Sequence, residues 1–120
     1  MKIPKAASPT VKLFEELTPA EKAVEAKKLF GQPAAFVNGN LFLGVFGEKL
    51  FVRLSEADRT EARRLPGCVN FEPMPGRPMS EYMVLPKSVL EVRTQARSWV
   101  TRSLRYASGL PPKRPKGRAK

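Results

Sequence analysis

The dipeptide Asn38-Gly39, set between two apolar runs, constrains this chain more than any other feature. A two-residue connection between antiparallel strands is tightest when both residues take positive φ, a conformation that asparagine and glycine tolerate. The surrounding stretch, Leu29 to Leu54, holds five of the seven phenylalanines. Ala34 to Val37 reads as extended and Leu41 to Phe46 as the return strand. A reversal at Gly47-Glu48-Lys49 then leads into a third strand, Leu50 to Leu54. Strict alternation puts Phe42 and Phe46 on one face and Leu41, Leu43 and Val45 on the other. Both faces are apolar, so the central strand is expected to be covered from both sides.

The flanks carry helix signals. Ser8-Pro9 offers an N-cap followed by proline at the first helical position, and Val11, Phe14 and Leu17 supply apolar spacing. Thr18-Pro19-Ala20-Glu21 is a capping box, from which local rules run a second helix to Lys28, with Glu25 and Lys28 one turn apart. Ser55-Glu56-Ala57-Asp58 is another capping box, opening a helix towards Leu65 that Pro66-Gly67 ends. Cys68 to Glu72 and Glu81 to Leu85 read as strands. Between them Pro73 to Met79 holds three prolines and a glycine, a stiff loop. From Pro86 to Ala107 a single helix is expected, stopped by Gly109 and Pro111-Pro112. Its stripe of Val89, Val92, Ala96, Trp99, Val100, Ser103, Leu104 and Ala107 would cover the sheet. The chain thus divides into a frayed terminus (1–8), one domain (9–110) and a tail (111–120) without apolar periodicity, expected to be disordered.

Charge is distributed unevenly. Residues 1–86 carry 12 basic and 10 acidic side chains, whereas residues 87–120 carry 10 basic ones and only Glu91. A localised positive field attracts phosphate, anionic lipid or an acidic protein surface, although a basic tail can also serve solubility alone. Lys113, Arg114, Lys116, Arg118 and Lys120 have no interleaved acid, and the prolines among them keep the segment extended. They are the candidate anion contacts. Arg93 and Arg97 lie at one margin of the helical stripe, Arg102 and Arg105 well round from it, so no single basic face forms. Trp99 falls inside the stripe, a core position rather than a base-stacking platform. Arg77, inside the stiff loop, could receive a carboxylate or phosphate bidentately, or pair with Glu72 or Glu81 and hold the loop down.

The chain has no histidine and one cysteine, Cys68. That composition removes histidine-based nucleophilic machinery and any internal disulfide framework. Cys68 is expected to be a small buried apolar residue. The carboxylate pairs Glu15-Glu16 and Glu56/Asp58 are read as exposed helix starts complementing the dipole. No phosphate-binding glycine loop, signal-like leader or membrane-length apolar run is visible. No catalytic, cofactor-binding or metal-binding residue is assigned, and cytoplasmic residence is expected.

Taken together, the phrases KKLFGQPAAFVNGNLFLGVFGEKLFVRL, LSEADR, Asn70-Phe71-Glu72-Pro73-Met74-Pro75-Gly76-Arg77-Pro78-Met79 and EYMVLP resemble the N-terminal domain of the TfoX/Sxy family. The resemblance spans residues 9–110. It implies an α+β fold, a curved, mainly antiparallel sheet with flanking helices and a long C-terminal helix packed on it. It also implies that Val24–Phe30 is the first strand, which overrides the helix signal from Thr18 and leaves there only a short helical turn. Founding members regulate natural competence with a cyclic-AMP receptor-type activator on DNA and carry a second domain, whereas this sequence continues into its basic tail. The leading expectation is therefore a non-enzymatic regulatory or adaptor protein. Its domain would contact a protein partner, a transcription regulator, and its tail an anionic one. The alternatives are non-specific nucleic-acid binding by residues 87–120, and a small-molecule binder or enzyme using a pocket around Met74–Met79. Oligomeric state is open, since exposed hairpin edges could pair between subunits.

Overall fold

Asn38 and Gly39 take φ of 52° and 80° and join β2 (Gln32–Val37) to β3 (Asn40–Phe46), the hairpin the dipeptide predicts. In this computed structural model, which describes residues 5–74 and 76–112, the order continues in both directions. Upstream lie α1 (Ser8–Leu17) and β1 (Val24–Leu29). Downstream come β4 (Lys49–Arg53), α2 (Glu56–Ala62), β5 (Val69–Met74), β6 (Arg77–Val84), α3 (Lys87–Leu90) and α4 (Arg93–Ser108). The strands form one antiparallel sheet in the order β1-β2-β3-β4-β6-β5. The chain is α+β, with α4 packed on β3 and β4.

The strand reading of Val24–Phe30 holds against the Thr18 capping box. Thr18 ends α1 rather than opening a helix, and its hydroxyl donates to the Phe14 carbonyl at 2.6 Å. Only a turn follows, closed by the Val24 N–H on the Glu21 carbonyl. The N-cap of α1 is Ala7, not Ser8, and Glu15-Glu16 fall in the last turn of α1 instead of at a helix start. Glu25 reaches Lys27 along the strand, at 3.5 Å, in place of a helical pairing with Lys28. Phe30 and Gly31 turn β1 into β2 with φ of 57° and 75°. For a bulky residue such as Phe30 that conformation is a genuine outlier. Its ring remains in edge contact with Phe46, 5.7 Å between centroids.

Every residue of β3 is buried, as two apolar faces require. The assignment of residues to faces differs from simple alternation, however. Leu41 opposes Phe36 and Leu43 opposes Ala35, so Phe42 is an extra residue without a partner on β2. That bulge shifts the phase. Phe42, Leu43 and Val45 join the cluster on the helix side, with Phe14 and Leu17 of α1 and Ala96, Trp99, Val100 and Leu104 of α4. Leu41 and Phe46 go to the opposite cluster, with Ala34, Phe51, Phe71 and Val84. This second cluster is built from strand residues alone. Phe71 of β5 stacks on Phe51 of β4 at 4.1 Å, although β6 stands between their strands, which shows how strongly the sheet curves.

Two further expectations are corrected. The stiff loop Pro73–Met79 is the tip of a hairpin, with Met74 opposite Arg77. Pro73 is tolerated there because β5 is an edge strand, where a missing N–H need not break the ladder. The register slips on either side of Phe71, and the Asn70 side-chain amide takes up the slack by donating to the Ser80 and Tyr82 carbonyls. The single helix expected from Pro86 is two, interrupted at Glu91-Val92. Val92 leaves the stripe and is exposed, while the other stripe residues are buried. The Glu91 N–H caps α3 on the Lys87 and Val89 carbonyls, and the Arg93 guanidinium donates to the Leu90 carbonyl beside them. No helix among the described residues is long and apolar enough to cross a membrane.

Candidate anionic-contact and partner-contact surfaces

The five candidate tail cations, Lys113, Arg114, Lys116, Arg118 and Lys120, lie outside the described residues, as does the side chain of Arg77. What the structure describes is their framework. Leu110 packs against the helix-side core, and the Asn40 side-chain amide donates to the Pro111 carbonyl at 3.1 Å. The basic segment is thereby rooted beside the Asn38-Gly39 turn. Arg77 opens β6 next to Gly76, whose N–H is accepted by the Glu72 carboxylate at 2.5 Å. Of the two acids named as partners for Arg77, Glu72 thus binds the turn backbone, and Glu81 is engaged by Arg53 and Tyr106.

Sequence reading missed that Arg53–Glu81 centre. Arg53 Nε donates to Glu81 Oε1 at 2.7 Å, and the Tyr106 hydroxyl donates to Oε2 at 3.2 Å. The Arg53 guanidinium stands 5.4 Å from the Tyr82 ring centroid and 5.9 Å from that of Tyr106, within cation–π range. Burial pushes the Tyr82 phenol up, and its hydroxyl donates to the Leu41 carbonyl. A charge closing the otherwise apolar run Leu50–Arg53 was the available signal.

Burial alone would raise the Glu81 carboxyl, but the Arg53 hydrogen bond and charge, with Tyr106, outweigh it and hold it below its ordinary 4.5. A carboxylate favoured by the fold contributes stability that is fully present above the unfolded value and lost as pH falls through the folded one. Glu81→Gln is therefore expected to lower the urea midpoint more at pH 7 than at pH 3. Equal shifts at both pH values would deny Glu81 an ionic role.

The helix arginines divide by their ion-pair partners rather than by the angular grouping of Arg93 with Arg97 and Arg102 with Arg105. Arg93 binds Glu16 of α1 at 3.0 Å, while Arg102 binds Asp58 and Glu61 of α2 and lies 4.4 Å from the Trp99 ring centroid. Arg97 and Arg105 are exposed. The Arg102 hydrogen bond and charge hold Glu61 below its ordinary value. These ion pairs tie α4 to α1 and α2. Trp99 is buried, a core residue. Cys68 is half-buried at the margin of the helix-side core rather than inside it. Burial pushes its thiol up, against a smaller opposing effect of Arg63, so the reactive thiolate is disfavoured.

The sequence profile of the TfoX N-terminal domain matches residues 14–107, most of the chain. The chain belongs to the TfoX N-terminal domain family. Comparison with curated proteins returns no match. The TfoX match begins at Phe14 and ends at Ala107, so it takes in every strand and nearly all of the helix that covers them. TfoX membership supports a regulatory, competence-associated role, and the family is not a known enzyme family.

Proposed function

We propose that this chain is a non-enzymatic regulatory adaptor of the TfoX type. The folded domain contacts a protein partner, a transcription regulator, and Lys113, Arg114, Lys116, Arg118 and Lys120 contact an anionic surface beside it. The observation that carries the reading is the root of the basic segment, fastened by Asn40 to Pro111 at one end of the sheet. A cation cluster tethered at a fixed point has a high effective concentration around whatever the domain engages. Phosphate contacts of this kind position a protein without reading base sequence.

The test compares the intact chain with one in which the five tail cations are glutamine. If all five neutralise phosphates, log affinity for duplex DNA is expected to fall with log salt at a slope of about −4.5. The slope should approach zero in the neutralised chain. Capture of a protein partner should survive neutralisation. Loss of every partner on neutralisation favours non-specific nucleic-acid binding as the main activity, and capture of no partner by either form ends the adaptor reading.

A further inference from the structure

β1 is the open edge of the sheet: among the described residues its only strand neighbour is β2, and Glu25 to Lys28 are exposed. The opposite edge, β5, is unsuited to pairing, since Pro73 lacks an N–H and the register slips at Phe71. β1 has neither defect.

The outward-facing backbone of β1 follows from the turn. Leu29 and Gln32 flank the two-residue connection and form the hydrogen-bonded pair of the hairpin. Lys27 with Ala34 and Glu25 with Phe36 repeat that pattern. The intervening pairs are non-hydrogen-bonded, which is consistent with Pro33 standing opposite Lys28. The N–H and C=O groups of Ala26 and Lys28 and the C=O of Val24 therefore point away from β2, along the open edge, while the Val24 N–H is taken by the Glu21 carbonyl.

We infer that β1 pairs with β1 of a second copy of this chain, antiparallel, with Ala26 on the two-fold axis. In antiparallel pairing, outward groups must face outward groups. This register sets Ala26 opposite Ala26, exchanging both backbone hydrogen bonds, and Val24 opposite Lys28, where the Lys28 N–H donates to the Val24 carbonyl while the Val24 N–H stays on Glu21. Glu25 then stands opposite Lys27 of the partner copy and Lys27 opposite its Glu25. Both are non-hydrogen-bonded pairs, the kind in which side chains approach most closely. Glu25 and Lys27 already share one face, 3.5 Å apart, with Lys27 over the Phe36 ring. In the dimer they form a row of alternating sign. Lysine on an edge strand ordinarily discourages association. Here the register matches each lysine with an acid, so the same charges that repel other edges select this one. The next allowed register, centred on Lys27, would set like charges together. With so short a strand, the dimer belongs to the small, concentration-dependent class of interfaces.

Sedimentation equilibrium of the full chain, in reducing buffer from about 10 µM to about 1 mM, tests this over the affinity range expected of such a contact. The apparent mass should rise from 13.4 kDa towards twice that value. Glu25→Lys or Lys27→Glu alone sets like charges opposite one another at both pairs and should raise the association midpoint about tenfold. The double charge swap should restore it. Ala26→Pro removes an N–H that no strand within the chain uses and should abolish association, with far-UV circular dichroism unchanged. A mass of 13.4 kDa at every concentration overturns the inference, as does association that all these variants leave unchanged.

Discussion

Replacing Ser103 with alanine is expected to destabilise the protein by about 2–3 kcal/mol, the penalty for stranding buried polar groups. The Ser103 hydroxyl of α4 donates to the Phe42 carbonyl at 2.6 Å and accepts the Arg53 N–H at 3.1 Å. The β3–β4 ladder runs from Phe46 opposite Lys49 to Leu43 opposite Val52 and stops there. The next step would pair Phe42 with Arg53, but Phe42 is the bulged residue, and the helix hydroxyl completes the connection. Ser103 is fully buried, so water has no ready access to the stranded groups. For a domain of this size the loss corresponds to a fall in Tm of roughly 10–15 °C. Urea unfolding followed by Trp99 fluorescence measures it. A loss below about 0.5 kcal/mol, the range of ordinary surface substitutions, would show the relay to be dispensable.

Gly44→Ala should have an effect of similar size for a different reason. Gly44 is paired with Phe51 across β3 and β4, and a Cβ added there would overlap the far carbons of the Phe51 ring. The ring has little room to retreat. It is stacked on Phe71 at 4.1 Å with 8° between planes and meets Tyr82 edge-on at 5.9 Å. Overpacking of this kind costs about 1–3 kcal/mol, and the confinement of Phe51 places Gly44→Ala near the upper end. Shortening the obstructing ring with Phe51→Leu should relieve part of the clash. The double variant is expected to be more stable than the sum of the single losses by about 1 kcal/mol. Strict additivity, measured by denaturant titration of all four chains, would show that the strain is relieved elsewhere.

The failures of sequence reading share one cause. Thr18-Pro19-Ala20-Glu21 is a sound helix start by local rules, yet Thr18 closes α1. The residues after it, Val24 to Leu29, pair with β2 as a strand instead, with Glu25, Lys27 and Leu29 turned towards it. That partner is not visible in the segment itself, and only the likeness to the TfoX pattern reported it. Alternation along Leu41–Phe46 failed at Phe42 because a bulge against β2 leaves that residue unpaired and shifts the phase. The Arg53–Glu81–Tyr106 centre draws on residues from β4, β6 and α4, and no spacing rule links them. Of the candidate contacts, the sequence could name the tail cations by composition, while their root at Asn40 needed the fold.

What the amino-acid sequence settled unaided was local or periodic. The Asn38-Gly39 turn follows from the φ values those two residues tolerate. The buried stripe from Ala96 to Ala107 follows from helical periodicity, and the concentration of positive charge in the last quarter follows from counting. The tertiary structure alone decided which face each β3 residue serves, where the long helix breaks, and which strand edge stays open. Those outcomes depend on hydrogen-bond partners and ring contacts far apart along the chain. The Ser103 hydroxyl bridging Phe42 and Arg53 exists only once helix and sheet are packed together.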